Sequence, residues 1–418
     1  MIEPDDAMKL VVITYGTEGD TRPLVALCRA LMDAGHRVQL LADRNTLSTA
    51  HALGVPATAL AGDIRGTLDA DNAIGKVVAD GHSPGRAARA LAGIANAHAQ
   101  AWLKALVEAG QGCDGIVISG LAGFVGLSAA EALRVPAIGT GMIPLTATAE
   151  FAHPFLPPRL VPRWLRRASH EFVNGMLWRA FRAATNCARA SVCGLPPQRT
   201  LWKGHPMLYG VSPTLMPQPA DWPGYAMVCG QWVHETQDVT PPAGLADFLA
   251  QGEAPVYVGF GSMMGFNPTQ AREAIVGALA GRRAVFQPGW SGIETSGLPD
   301  HIFVVGETPH QWLFPKMSAV VHHGGSGTSH SAARAGVPAV VVPFAGDQPF
   351  WADRLWRLGV APEPVPARQL NVQRLRRAID AAQDARMRAK AREVGERMRA
   401  ERGLAVAVNK IERLLSRT

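Results

Sequence analysis

Short runs of consecutive apolar, β-branched residues alternate with stretches of helical period along most of the chain. Residues 9–15, KLVVITY, read as a strand buried on both sides, residues 21–34 as an amphipathic helix closed by Gly35, and residues 37–43 as the next strand. Residues 115–119 and 136–141 repeat the pattern around a helix near 127–133. Strands that are apolar throughout, with helices between them, predict a parallel sheet covered on both faces. The stretch SPTLMPQPADWPG at 212–224, with four prolines, interrupts this order, and a second series begins beyond it at 255–261, 284–287, 302–305, 319–322 and 339–343. The expectation is an α/β protein of two doubly wound, Rossmann-like domains facing across a cleft. Its parts are residues 1–211, a linker at 212–224, residues 225–395, and a C-terminal helix at 396–418 packing back on the first domain. Ligands of such sheets bind at the carboxyl ends of the strands.

Residues 145–200 depart from the alternation. Phe151, Phe155, Trp164, Phe172, Trp178 and Phe181 stand there among Arg159, Arg163, Arg166, Arg167, Arg179 and Arg182. Two readings stay open: an amphipathic helix with a solvated basic face, or an apolar acceptor pocket, including Phe151, Phe155 and Trp178, whose rim touches an anionic membrane. The charged segment 384–402 reads as a helix with a solvated face.

Composition narrows the class. Apolar residues make up 47%, enough for full cores, and charged residues only 18%, which argues against disorder. The net charge of +7 admits an anionic ligand or surface, but the basic residues are mostly arginines in helical stretches, not the footprint of a nucleic-acid protein. The five cysteines, Cys28, Cys113, Cys187, Cys193 and Cys229, are odd in number and lack both C-x-x-C and zinc spacing, which suits a reducing compartment. The acidic N-terminus has too short an apolar run for a signal peptide, and no stretch approaches the ~18 apolar residues of a spanning helix. These features predict a cytoplasmic protein, either soluble or peripheral on the inner face of a membrane.

The chemistry concentrates in residues 320–348, VVHHGGSGTSHSAARAGVPAVVVPFAGDQ. A strand runs into His322-His323-Gly324-Gly325, and a helix starts near Ser326 and stops before Gly336. Glycines let backbone N–H groups approach an anion closely, the helix N-terminus adds partial positive charge, and Ser326 and Thr328 add hydroxyl donors. No Walker lysine follows, so this is a pyrophosphate cradle of another kind, or a tight turn with Ser326 as a cap.

His323-Gly-Gly, Ala335-Gly-Val-Pro and Asp347-Gln348 stand at the spacing of the donor-binding motif of nucleotide-sugar-dependent glycosyltransferases of the GT-B fold, which this segment resembles. GTEGDTRPLVAL at 16–27 is similar to the N-terminal loop of sterol glucosyltransferases and antibiotic glycosyltransferases; PHQWLFP at 309–315 and PFAGDQPFWADR at 343–354 resemble the sterol branch. The resemblance covers both domains and is weak at 60–110 and 145–200. It implies that His323 contacts the donor phosphates with Gly325, Ser326, Gly327 and Thr328, and that Asp347 and Gln348 meet the sugar hydroxyls. It places Ser262 at a second phosphate contact, His310 and Trp312 in the nucleotide region, and Thr17 near the phosphate or sugar. Core packing is the plainer reading of Trp312, and His322 reads as structural. Two positions depart from the plant-type motif: Glu307 stands where a tryptophan underlies the base, and Ser331 where a glutamate holds the ribose. The sterol-like segments favour a UDP-sugar, while the missing carboxylate keeps a dTDP-sugar open.

An acceptor hydroxyl must lose its proton in the transition state, because a free alkoxide is inaccessible near neutral pH. The resemblance makes Asp20 that base; capping of the first helix is its competing role. The expectation is an inverting hexosyltransferase, needing no metal or cofactor beyond the nucleotide-sugar co-substrate, that glycosylates an apolar alcohol such as a sterol, terpenoid or macrolide. The alternatives are a rhamnolipid-type transferase acting on a lipid hydroxy acid and a non-catalytic GT-B protein that activates a partner. Asp20, His323 and Asp347-Gln348 together argue against the last, since a scaffold needs none of them.

Overall fold

A computed structural model describes residues 7–68, 84–235, 240–261, 263 and 267–416. Seven parallel strands form the first sheet: β1 (Lys9–Ile13), β2 (Arg37–Asp43), β3 (Ala57–Leu60), β4 (Gly115–Ile118), β5 (Ala137–Gly141), β6 (Met207–Tyr209) and β7 (Ala226–Val228), in the order β3-β2-β1-β4-β5-β6-β7. Five parallel strands form the second: β8 (Val256–Gly259), β9 (Ala284–Gln287), β10 (Ile302–Val304), β11 (Ala319–His322) and β12 (Ala339–Val341), in the order β10-β9-β8-β11-β12. Residues Leu10–Ile13 of β1 and all of β11 are buried, as strands between two helical layers must be. Val12 pairs with Leu40 on one side and Val117 on the other.

Each sheet reverses its winding once, between β1 and β4 and between β8 and β11. The loops beyond those strands open at the carboxyl edge, where a switch point leaves a crevice. After β1 comes the segment ending in Asp20; after β8, Phe260 and Gly261; after β11, the His322–Gly325 turn.

The boundaries differ from the sequence expectation. The proline-rich stretch 212–224 is not the crossing between domains but a loop joining β6 to β7, and β7 is the outer strand of the first sheet. A three-residue strand carries too little periodicity to declare its sheet, and backbone pairing with β6 decides it. The crossing lies between Val228 and Val256. At the other end, the helix Ala385–Ala400 packs on the helix Ser326–Ala335 of the second domain. The chain turns at Glu401 and Arg402, and the helix Gly403–Leu415 returns to the first domain, placing Ala407, Val408, Ile411 and Leu415 in one core with Leu24, Cys28 and Leu31.

The segment 145–200 divides. The helix Arg166–Cys193 packs along the helix Pro84–Ala109, burying Val173, Trp178 and Phe181, while Trp164 and Phe172 remain exposed. No helix among the described residues is long and apolar enough to cross a membrane.

Candidate active site

The loop after β1 brings Asp20 into the cleft. The helix begins at Glu18, three residues earlier than its hydrophobic period suggests, so Asp20 occupies the third helical position. A side chain there reaches back to the start of the helix: the Thr17 N–H donates to Asp20 Oδ2 at 3.0 Å. The carboxylate folds over Gly16, where a Cβ would overlap it. Burial pushes the Asp20 carboxyl up to about 6, against the opposing hydrogen bonds from Thr17.

The His322–Gly325 turn is built by its own residues. His322 is buried and its Nδ1 accepts the Gly324 N–H at 3.0 Å, the structural role read from the sequence. Gly324 has φ +91°, and a Cβ there would lie 2.7 Å from Val341 Cγ1, so only glycine fits. Gly325 is the N-cap of the helix Ser326–Ala335; Ser326, Gly327 and Thr328 form its first turn, whose N–H groups point out of the helix. His323 sits between Gly325 and Gly261: added Cβ atoms there would lie 2.5 Å from its Nε2 and 3.1 Å from its Cε1. Its Nδ1 is buried without a hydrogen-bond partner among the described residues, and burial holds the ring down at about 4, neutral at physiological pH.

His310 lies in the same corner, stacked on Phe314 with ring centroids 4.2 Å apart. Burial, with the charges of Arg22 and His323, holds it at about 3. Trp312 packs against the second core under the Lys316 ammonium, 4.1 Å from its ring centre, which matches the packing reading. Ser262 lies outside the described residues.

Asp347 comes from the loop after β12. Its Oδ2 accepts the Trp351 indole N–H at 2.8 Å, and it makes no side-chain cap to the helix it precedes. Burial pushes its carboxyl up to about 7; the charge of Asp20 adds to the rise, and the Trp351 indole and Ser326 N–H oppose it. The two carboxyls, one from each domain, therefore lie within electrostatic reach of each other, Asp347 beside the mouth of the phosphate-cradle helix. Gln348 is tied to its own loop: its Oε1 accepts the N–H groups of Phe344 and Ala345 at 2.7 and 3.2 Å, and its Nε2 donates to Met263 Sδ at 3.0 Å.

The three aromatics expected at the acceptor do not form one surface. Phe151 packs on Phe350 of the second domain, centroids 5.1 Å apart, under the Arg354 guanidinium. Phe155, half-buried, stacks edge-on to His153. Trp178 belongs to a separate group with Phe124 and Trp202, 4% exposed. Helical period puts Trp178 and Phe181 on one face, and packing makes that face core.

Three residues not singled out in the sequence also shape the site. Arg22 bridges Glu18 at 2.8 Å and Glu307, across the cleft, at 3.4 Å. His330 donates from Nδ1 to the Ser326 carbonyl at 2.8 Å and accepts the Ser212 N–H at Nε2 at 3.0 Å, joining the β6–β7 loop to the cradle helix. Glu401 accepts from Ser212 Oγ and Thr214 Oγ1 at 2.6 and 2.8 Å. The Glu18–Arg22 and Ser326–His330 spacings of four were the available signal; nothing local marks Glu401. Among the described residues no group of three His, Cys, Asp or Glu side chains is arranged to hold a metal ion.

Known proteins resemble this chain in sequence and in fold. Residues 284–414 match the family model of the erythromycin biosynthesis protein CIII-like C-terminal domain. Over 98% of its length the chain is 32% identical to a sterol 3-beta-glucosyltransferase of Arabidopsis thaliana and covers 68% of that protein. Over 96% it is 30% identical to a sterol 3-beta-glucosyltransferase of Komagataella phaffii, of which it covers 34%. The crystal structure of the glycosyltransferase VinC in complex with dTDP superimposes with a TM-score of 0.69 at 21% identity, covering 98% of this chain and all of that one, which establishes the two-domain GT-B fold. With a whole-chain relative above 30% identity and a matching fold, the chain belongs to the family of the sterol 3-beta-glucosyltransferases.

Proposed function

We propose that this protein is an inverting glycosyltransferase that moves a hexose from a nucleoside diphosphate sugar, UDP-glucose in first place, onto a hydroxyl of an apolar acceptor such as a sterol, terpenoid or macrolide. The observation that carries this reading is the meeting of three features: the cradle helix, the unpartnered Nδ1 of His323 and the two buried carboxyls. The N–H groups of Gly327 and Thr328, the Ser326 hydroxyl and a neutral His323 N–H donate to the diphosphate and meet the charge that grows on it as the anomeric bond breaks. Asp20 takes the proton of the attacking hydroxyl, and Asp347 accepts from the sugar hydroxyls. Gln348 serves chiefly by holding the 343–347 loop. A dTDP-sugar is the second reading, favoured by Ser331 at the position of a ribose-binding carboxylate.

Two assays test the reading. Purified protein with UDP-glucose and a detergent-dispersed sterol should form a β-glucoside, and dTDP-glucose should serve less well. His323→Ala should weaken UDP binding by about 10- to 150-fold, the value of one hydrogen bond to a charged group. No product from any nucleotide sugar and acceptor pair, together with unchanged nucleotide affinity in a folded His323→Ala protein, would remove the proposal.

A further inference from the structure

Of the seven large hydrophobic side chains exposed among the described residues, four lie between residues 160 and 172: Leu160 at 76%, Trp164 at 80%, Leu165 at 36% and Phe172 at 65%. Single exposed apolar residues are ordinary, whereas a cluster marks an interaction surface. The local structure builds the cluster. A loop with Pro157, Pro158 and Pro162 carries Leu160 outward, and the short turn Arg163–Leu165 runs directly into the helix Arg166–Cys193. Trp164, Ala168 and Phe172 then follow at four-residue intervals along one exposed line, while Ser169, His170 and Val173 face the interior.

The surrounding charge is of one sign. Between residues 159 and 182 the sequence carries six arginines and one acidic residue, Glu171. Three arginines are anchored: Arg159 to Glu363 at 2.9 Å, Arg166 to the Glu150 carbonyl at 2.8 Å and Arg167 to Asp221 at 3.2 Å. Arg163, beside Trp164, is exposed and has no ion-pair partner among the described residues. An exposed tryptophan and aliphatic side chains rimmed by arginine suit the boundary between lipid headgroups and acyl chains.

We propose that residues 160–172 dock on an anionic lipid bilayer, with Leu160, Trp164 and Phe172 entering the headgroup region and the Arg163 guanidinium meeting lipid phosphates. The charge selects this occupant over a second copy of the chain, since an isologous contact would set the arginine cluster against itself. The patch lies at the seam of the cleft: the chain reaches it directly from Phe151, and Arg159 bridges to Glu363 and Asp353 of the second domain. An apolar acceptor dissolved in the bilayer would thus be presented beside the crevice. That consequence rests on the glycosyltransferase reading above; the docking does not.

The test uses the full chain without donor or acceptor. Protein is sedimented with vesicles of phosphatidylglycerol and phosphatidylcholine, and with phosphatidylcholine alone, at low and physiological salt. Wild type should partition onto the anionic vesicles and less at higher salt. The Trp164→Ser/Phe172→Ser double variant, whose thermal midpoint should match wild type because both side chains are exposed, should bind more than about tenfold more weakly. Arg163→Glu should lose about tenfold. Sugar transfer to a detergent-dispersed acceptor should be equal in all three. Wild type that ignores anionic vesicles at low salt overturns the proposal, as do variants that bind as wild type does. A dimer that the double variant dissolves, without vesicle binding, also overturns it in favour of self-association. Absent transfer with intact vesicle binding would count against the glycosyltransferase reading instead.

Discussion

Asp20 holds two positions at once: it steadies the first helical turn through the Thr17 N–H, and it lies within electrostatic reach of Asp347 in the second domain. Asparagine keeps an acceptor oxygen for the Thr17 N–H, so Asp20→Asn separates the roles. The thermal midpoint should hold while turnover falls by ~10²–10⁴-fold, the usual contribution of a positioned base. Turnover within a few-fold of wild type would remove Asp20 from the chemistry. Asp347 makes a different prediction. The folded protein keeps its proton up to about 7, whereas the unfolded chain releases it near the ordinary carboxyl value of 3.8. Between those values the folded state binds more protons, so this group's stabilising contribution is complete at low pH and is lost as pH rises through about 7. Asp347→Asn, with an oxygen still able to accept the Trp351 indole, escapes that loss. Without nucleotide, it and wild type should differ little near pH 4, and at pH 8 the variant should be more stable by on the order of 1–3 kcal/mol, allowing for partial solvent screening. Thermal melts at the two pH values check the sign; a gap that shrinks with rising pH contradicts it.

At the scale of elements, the cradle helix is held from both ends of its first turn. Gly324 shapes the entry, and His330 ties the Ser326 carbonyl to the Ser212 N–H of the β6–β7 loop. His330 is 1% exposed with its edge on Trp351, and burial holds it down at about 4, so its neutral ring donates on one side and accepts on the other. His330→Leu would fill similar space and leave the Ser212 N–H buried without a partner. The expected cost is about 1–3 kcal/mol, read as a lower urea midpoint at unchanged slope. A midpoint equal to wild type would mean that the linkage contributes nothing. The same scale explains the aromatic segment. Its helical period was legible, and the structure assigns Trp178 and Phe181 to the inner face and Trp164 and Phe172 to the outer one. Periodicity alone gives the faces without saying which one meets protein.

Over the whole molecule, the last helix fastens a domain to which it is not adjacent in sequence. Ile411 is fully buried among residues of the first domain, so Ile411→Ala should destabilise that domain by about 2–5 kcal/mol. Hydrogen exchange should then accelerate first in β1 and β2; acceleration confined to the second sheet would contradict this placement. What the sequence determined by itself was local. The apolar runs of β1 and β11 declare buried parallel strands within five residues each, and the glycines before Ser326 declare the cradle within a single turn. Hydrophobic period and turn chemistry are properties of neighbouring residues, so a linear reading captures them. The tertiary structure alone decided that β7 belongs to the first sheet, that Phe151, Phe155 and Trp178 part company, that Asp20 and Asp347 lie within electrostatic reach of each other, and that Glu401 receives the β6–β7 loop. These are long-range pairings. The entropy of closing a loop grows only slowly with its length, so separation along the chain hardly discriminates among partners; complementary buried surfaces and unsatisfied polar groups do, and they exist only once the elements have packed.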